Sequence, residues 1–291
     1  MSTPNPIGFS PASVTCFFSP SFGNSPANTY SKGCAINLKQ GVTARVEAAP
    51  STQIFFNGKS KSIAPVEFIV QKLAPEPVNI LLETSLPLGC GFGLSAASCL
   101  SAAFAIVRHY NLNLSRSQIG MLAHEAEVTF KTGLGDVASQ LCGGVVFRNC
   151  KTSPLDSEQL SLKVEPIYFR VFDELDTSST LSDLELLNTI TEKGSQANDW
   201  LLDNINKLTL SDLLSYALTF AQDTHLLTNP SVRSCVNDVL AAGGKATMIM
   251  LGQGVLATAP VGDKSKWIKC DIDEQGTRYI AENNRHDGHP H

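Results

Sequence analysis

The sequence predicts an α+β chain long enough for two domains. Its 291 residues are 43% hydrophobic, with a mean hydropathy of +0.01, which is globular composition. In the first half, strand-like runs lead into a glycine cluster and then into helices. In the second half, helical stretches precede two short apolar runs.

Residues 1–31 carry no charged side chain and are rich in Pro, Ser, Asn and Phe, so extended segments and turns covered by other elements are expected there. Residues 36–47 alternate enough for one or two strands around Gln40-Gly41, and residues 78–83 form another strand candidate. Residues 95–108 are rich in Ala, Leu and Cys without a breaker, which predicts a helix. The next helix opens on a capping box, Ser115 with Gln118. Ile119, Leu122, Ala123, Ala126 and Phe130 form its apolar stripe, and residues 132–135 end it.

Residues 145–147 read as a buried strand, and the polar stretch 151–159 as a boundary between domains spanning 1–155 and 156–291. Residues 164–171 are strand-like, with Pro166 confining the strand to an edge or marking its start. Helices are expected near 181–205 and 211–227, and a third enters at Asn229-Pro230-Ser231. A break at Gly243-Gly244 precedes the apolar runs 246–251 and 254–257.

Composition excludes several functions. With 22 Lys+Arg against 27 Asp+Glu the net charge is −5, which gives no general attraction to nucleic acid or anionic lipid. No cation precedes Lys32, which argues against a signal or transit peptide, so a cytoplasmic location is expected. Residues 85–107 lack charge but are broken by three glycines and several serines, so they read as a buried loop and helix, with no membrane association. The eight cysteines form no C-x-x-C and read as buried free thiols. His286, His289 and His291 are assigned no function.

The most informative run is Pro87-Leu88-Gly89-Cys90-Gly91-Phe92-Gly93-Leu94-Ser95-Ala96-Ala97. Alternate glycines let backbone N–H groups approach an anion, and the following helix adds its N-terminal dipole. It is no Walker A loop: the one Gly-Lys-Ser, at Gly58, has Gln53 where the first glycine belongs. A dinucleotide site would need an acid for the ribose, and none lies between Glu83 and Glu125. Glycine spacing alone leaves a tight strand-to-helix turn as the alternative.

This run resembles the ATP-binding motif of the GHMP kinases, with Leu94 in place of the motif's first serine. The resemblance implies ATP bound along residues 87–97 and Mg2+ held by Ser95 and a glutamate. It also implies an aspartate acting on the acceptor hydroxyl. By family spacing these are Glu125 and Asp136, with Gly133 and Gly135 between them. Glu127 then reads as a surface partner of Lys131, and His124 as a solvated neighbour.

Segments 9–18, 31–36, 90–97 and 246–252 are similar to the archaeal pantoate kinases, a GHMP branch in coenzyme A biosynthesis. Ser13 stands where that family has histidine, and Lys32 where it has arginine. Arg148 matches a family arginine suited to a bidentate carboxylate contact. The implied substrate-binding residues are therefore Arg148, Lys32 and Ser13. The implied activity is phosphorylation of the pantoate hydroxyl to 4-phosphopantoate. Another GHMP kinase acting on shikimate, homoserine or a mevalonate-type alcohol, and an idle nucleotide sensor, stay open at this point. The implied architecture is a ribosomal-S5-like N-terminal domain and a ferredoxin-like C-terminal domain, with the site in the cleft between them. The expected partners are ATP and a small hydroxy acid; a homodimer stays open, because the sequence does not give the oligomeric state.

Overall fold

The computed structural model describes residues 7–163, 165–173 and 184–281; Val164, Leu181 and the tail histidines fall outside them. The first sheet begins with two long strands, β1 (Ile7–Ser21) and β2 (Tyr30–Ala48), paired antiparallel from Gly8↔Ala44 to Ser21↔Tyr30. Two register shifts interrupt the pairing: at Pro11/Ala12 the extra residues, Lys39 and Gln40, lie on β2, and at Thr15/Phe17 the extra residue, Cys16, lies on β1. The stretch around Gln40-Gly41 therefore stays within one irregular strand. Next come β3 (Gln53–Phe56), β4 (Lys59–Ser60), α1 (Ala64–Leu73) and β5 (Val78–Glu83). β5 pairs antiparallel with β2 and parallel with β3.

The glycine-rich loop leads into α2 (Leu94–His109), followed by α3 (Arg116–Thr129) and the short α4 (Asp136–Cys142). The α3 capping box forms as expected: the Ser115 hydroxyl accepts from Gln118 N while the Gln118 side chain accepts from Ser115 N. The stripe on α3 holds through Ala126. Phe130 is the C-cap residue, is 40% exposed, and meets Phe68 edge-on. β6 (Val145–Arg148) pairs with β2, and β7 (Glu158–Leu160) with β6.

β8 (Ile167–Asp173) opens the second sheet directly after Pro166, so the proline marks a strand's start and leaves its ladder intact. α5 (Leu184–Asn204), α6 (Leu210–Asp223) and α7 (Pro230–Ala241) follow, the last capped by Asn229. β9 (Ala246–Met248), β10 (Gln253–Ala257) and β11 (Ile268–Cys270) complete a four-stranded sheet ordered β11-β8-β10-β9. The chain then returns: β12 (Arg278–Ile280) pairs with the start of β1, making the first sheet eight-stranded. Among the described residues no helix is long and apolar enough to cross a membrane.

The uncharged N-terminal sequence has a direct structural cause. β1 is packed by α2 and also by α5 and α6, so nearly every residue along it is buried. The helices come close because glycines allow it. A Cβ on Gly8 would lie 2.1 Å from the Ser101 carbonyl oxygen, and one on Gly194 2.0 Å from that of Phe18. Gly194→Ala should therefore force α5 off β1 and destabilise the fold by about 1–3 kcal/mol. Ser115→Ala, which loses only a cap, should cost about 1 kcal/mol. Urea unfolding of both variants tests the ranking.

Candidate active site

The loop between β5 and α2 is held in a left-handed path at Gly89, Gly91 and Gly93, with φ of 71°, 80° and 61°. It is seated on the turn between β9 and β10. A Cβ on Gly91 would lie 2.6 Å from the Met250 carbonyl oxygen, and one on Gly252 2.2 Å from that of Cys90. Phe92 packs edge-on against Phe169 of β8, ring centroids 5.0 Å apart. The loop thus sits where the two sheets meet. The first turn of α2 contains no acidic residue, so its unpaired N–H groups and dipole are available to an anion.

Gly93 is also where three side chains converge. A Cβ there would lie 2.5 Å from Ser13 Oγ, 2.8 Å from Gln140 Nε2 and 3.1 Å from Asp136 Cγ. Ser13 N donates to the Phe92 carbonyl at 3.0 Å, and Ser13 Oγ donates to Asp136 Oδ1 at 2.9 Å. Gln140 Nε2 donates to the Gly93 carbonyl at 2.9 Å and to Ser13 Oγ at 3.0 Å. Ser13, expected at the acceptor, is thus brought to Asp136 and is completely buried.

On the other side of α2, Ser95 Oγ donates to Glu127 Oε1 at 2.5 Å, and Thr132 Oγ1 to the same oxygen at 2.8 Å. The carboxylate set against Ser95 is therefore Glu127, where family spacing pointed to Glu125. The reason is helical phase. Ile119, Gly120, Ala123 and Ala126 define the buried face of α3, Glu127 continues it, and Glu125 lies half-buried off it. Glu127 is 2% exposed, which rules out the surface pair with Lys131. Burial, with a smaller contribution from the Asp136 charge, pushes its carboxyl up to about 7 against the hydrogen bonds that lower it.

His124 is buried rather than solvated. Its Nε2 lies 2.9 Å from the Thr29 carbonyl and 3.1 Å from that of Pro26, which ties the β1–β2 connection to α3, and burial lowers its pKa.

The turn 132–135 separates opposite charges. A Cβ on Gly133 would lie 2.6 Å from Glu127 Oε2, and one on Gly135 2.7 Å from Arg148 Nε. Arg148, at the end of β6, is 1% exposed. Its Nη1 donates to Ser139 Oγ at 2.8 Å and its Nε to the Ser31 carbonyl at 3.4 Å. Among the described residues it has no carboxylate partner. A buried guanidinium whose named partners are neutral suits an incoming carboxylate. Lys32 is exposed on β2, one residue beyond Ser31. Gln140 and Ser139 had no sequence signal, and Ser31 and Thr132 entered only as the ends of a family-like segment and of a helix-ending turn.

Residues 62–144 match the family model of the GHMP kinases N terminal domain. The chain is 32% identical over 264 residues to the pantoate kinase of Methanospirillum hungatei JF-1, covering 86% of each. It is 30% identical over 287 residues to that of Thermococcus kodakarensis, covering 91% of each. Among solved structures, a phosphotransferase related to the CoA biosynthesis pathway superposes with a TM-score of 0.81 at 26% identity, covering 94% of this chain and 98% of that one.

The proton on buried Glu127 favours the folded chain. That contribution is full below the ordinary value of 4.5 and is lost as pH rises through about 7. Between those pH values the unliganded protein should lose stability relative to Glu127→Gln, by on the order of 3 kcal/mol. Urea unfolding across that range measures the difference, and a gap independent of pH would mean an ordinary carboxyl.

Proposed function

We propose that this chain, which belongs to the pantoate kinases of the GHMP kinase family, transfers the γ-phosphoryl group of ATP to the hydroxyl of pantoate. The observation that carries the reading is the turn from Gly133 to Asp136, beside the phosphate loop, with a buried carboxylate on one side and a buried guanidinium on the other.

Residues 87–97 cradle the triphosphate through backbone N–H groups and the α2 dipole. Gly93 supports this, because its carbonyl and Cα position are taken up by Gln140, Ser13 and Asp136 and leave no room for a side chain. Ser95 and Glu127 are two hard oxygen donors 2.5 Å apart, a pair suited to Mg2+, which takes its remaining ligands from water and phosphate. When bound, Mg2+ neutralises developing charge on the phosphoryl oxygens. Asp136, held by Ser13 through Oδ1, accepts the hydroxyl proton through its other oxygen. Arg148 binds the pantoate carboxylate, with Lys32 near the mouth of that side.

Purified protein with Mg-ATP should release ADP with pantoate and not with shikimate, homoserine or mevalonate; silence with pantoate would overturn the acceptor assignment. Asp136→Ala should bind ATP normally and lose about 10²–10⁴-fold in turnover. Glu127→Gln should raise the Mg2+ concentration needed for half-maximal rate while Glu125→Gln leaves it unchanged, and the reverse would restore Glu125 as the ligand. Arg148→Met should raise the KM for pantoate by about 10–100-fold, the effect of losing a charge-assisted hydrogen bond.

A further inference from the structure

Gln140 lies on α4, one turn after Asp136, and is completely buried. Its amide has only one self-consistent orientation. The Gly93 carbonyl can only accept, so the atom 2.9 Å from it must be the NH2 group. That same nitrogen is 3.0 Å from Ser13 Oγ, while the amide oxygen faces Ser10 Oγ at 3.4 Å. Ser10 Oγ in turn lies 2.9 Å from Thr277 Oγ1, and Thr277 donates to the Gln140 main-chain carbonyl from N at 2.7 Å and from Oγ1 at 3.0 Å.

The consequence falls on Ser13. A hydroxyl has one hydrogen and two lone pairs. With Gln140 donating to it, Ser13 is left to donate its hydrogen to Asp136 Oδ1, 2.9 Å away. Oδ1 is thereby occupied. Oδ2 faces the glycine turn, 3.5 Å from the Cβ position of Gly133.

We infer that Gln140 is a positioning residue that orients Asp136 for proton acceptance by fixing Ser13 as a one-way donor, and that it locks this carboxylate to the last glycine of the phosphate loop. The inference rests on the proposed role of Asp136. Gln140 is completely buried, with its side chain against Gly93, Ser13 and Ser10. It acts by holding the phosphate loop and the acceptor carboxylate in one register, so its loss belongs in kcat.

Gln140→Glu keeps shape and reverses polarity, since a carboxylate there accepts from Ser13 and pulls its hydrogen off Asp136. With Mg-ATP and pantoate, its kcat should fall by about 10–100-fold, the scale of an ångström-level misplacement. KM for pantoate should stay within about twofold. Ser13→Ala should lose a comparable factor, and the two losses should not multiply in the double variant, because both changes break one relay and only the Gln140–Gly93 bond is lost in addition. Ser13→Thr, which keeps the hydroxyl, should recover more rate than Ser13→Ala. Crystal structures of Gln140→Glu and Gln140→Leu should show Ser13 or Asp136 rotated away from the Ser13–Asp136 hydrogen bond. A kcat within twofold of wild type, losses that multiply in the double variant, or a Ser13–Asp136 bond unmoved in both crystal structures would each overturn the role. Should wild-type protein leave pantoate untouched, the acceptor assignment fails separately, and the crystal structures still decide whether Gln140 orients Asp136.

Discussion

The site depends on one close approach, that of β1 and α4 to Gly93. With no side chain at this residue, Ser13, Gln140 and Asp136 all reach within 3.1 Å of where its Cβ would stand, closer than van der Waals contact allows. Gly93 is also the left-handed residue from which α2 departs, so the conformation that starts the helix and the vacancy that admits the three side chains are the same feature. A methyl group here would separate the glycine-rich loop from the Asp136 carboxylate. Neither could then be repaired by moving the other, because β1 is held along its length by α2, α5 and α6.

Around that contact the protein keeps two buried charged groups apart. Glu127 is surrounded by hydroxyls and a thiol, and Arg148 by a hydroxyl and a main-chain carbonyl. Burying lone charges is expensive, and burial accordingly pushes the Glu127 carboxyl up to about 7. A cation beside Glu127 and an anion beside Arg148 would relieve both, which is the charge pattern of a metal-phosphate on one side and a carboxylate on the other. The two glycines of the intervening turn let both side chains lie against the backbone.

The C-terminal return supplies the underside of this arrangement. Asp273 accepts from Gln275 N, Gly276 N and Arg278, which shapes a tight turn pressed against α4. A Cβ on Gly276 would lie 2.4 Å from the Leu141 carbonyl oxygen, and Arg116 donates to the carbonyls of Leu141 and Thr277. Thr277 and Ser10 then back Gln140 from below. Thr277, 137 positions from Gln140 in sequence, therefore bears on the glycine-rich loop through hydrogen bonds alone.

Local signals were fully legible in the sequence: the Ser115–Gln118 cap, the Asn229 cap, the Val78–Glu83 strand and the glycine run that leads into α2. Each is fixed by residues within a few positions of one another, where propensity and periodicity act. The family motif pointed to Asp136 and Ser95 by spacing alone, and the structure sets the first against Ser13 and the second against Glu127. What only the tertiary structure decided is which side chains meet across long separations. Glu127 rather than Glu125 faces Ser95 because α3 is rotated to bury Ala123 and Ala126 against its neighbours. Gln140 carries no motif, and its importance comes from lying between Gly93 and Ser13. Pro166 sits at the start of an interior strand because β11 adds to β8 from beyond it in the chain. These are packing outcomes among elements far apart in sequence, and no local preference encodes them.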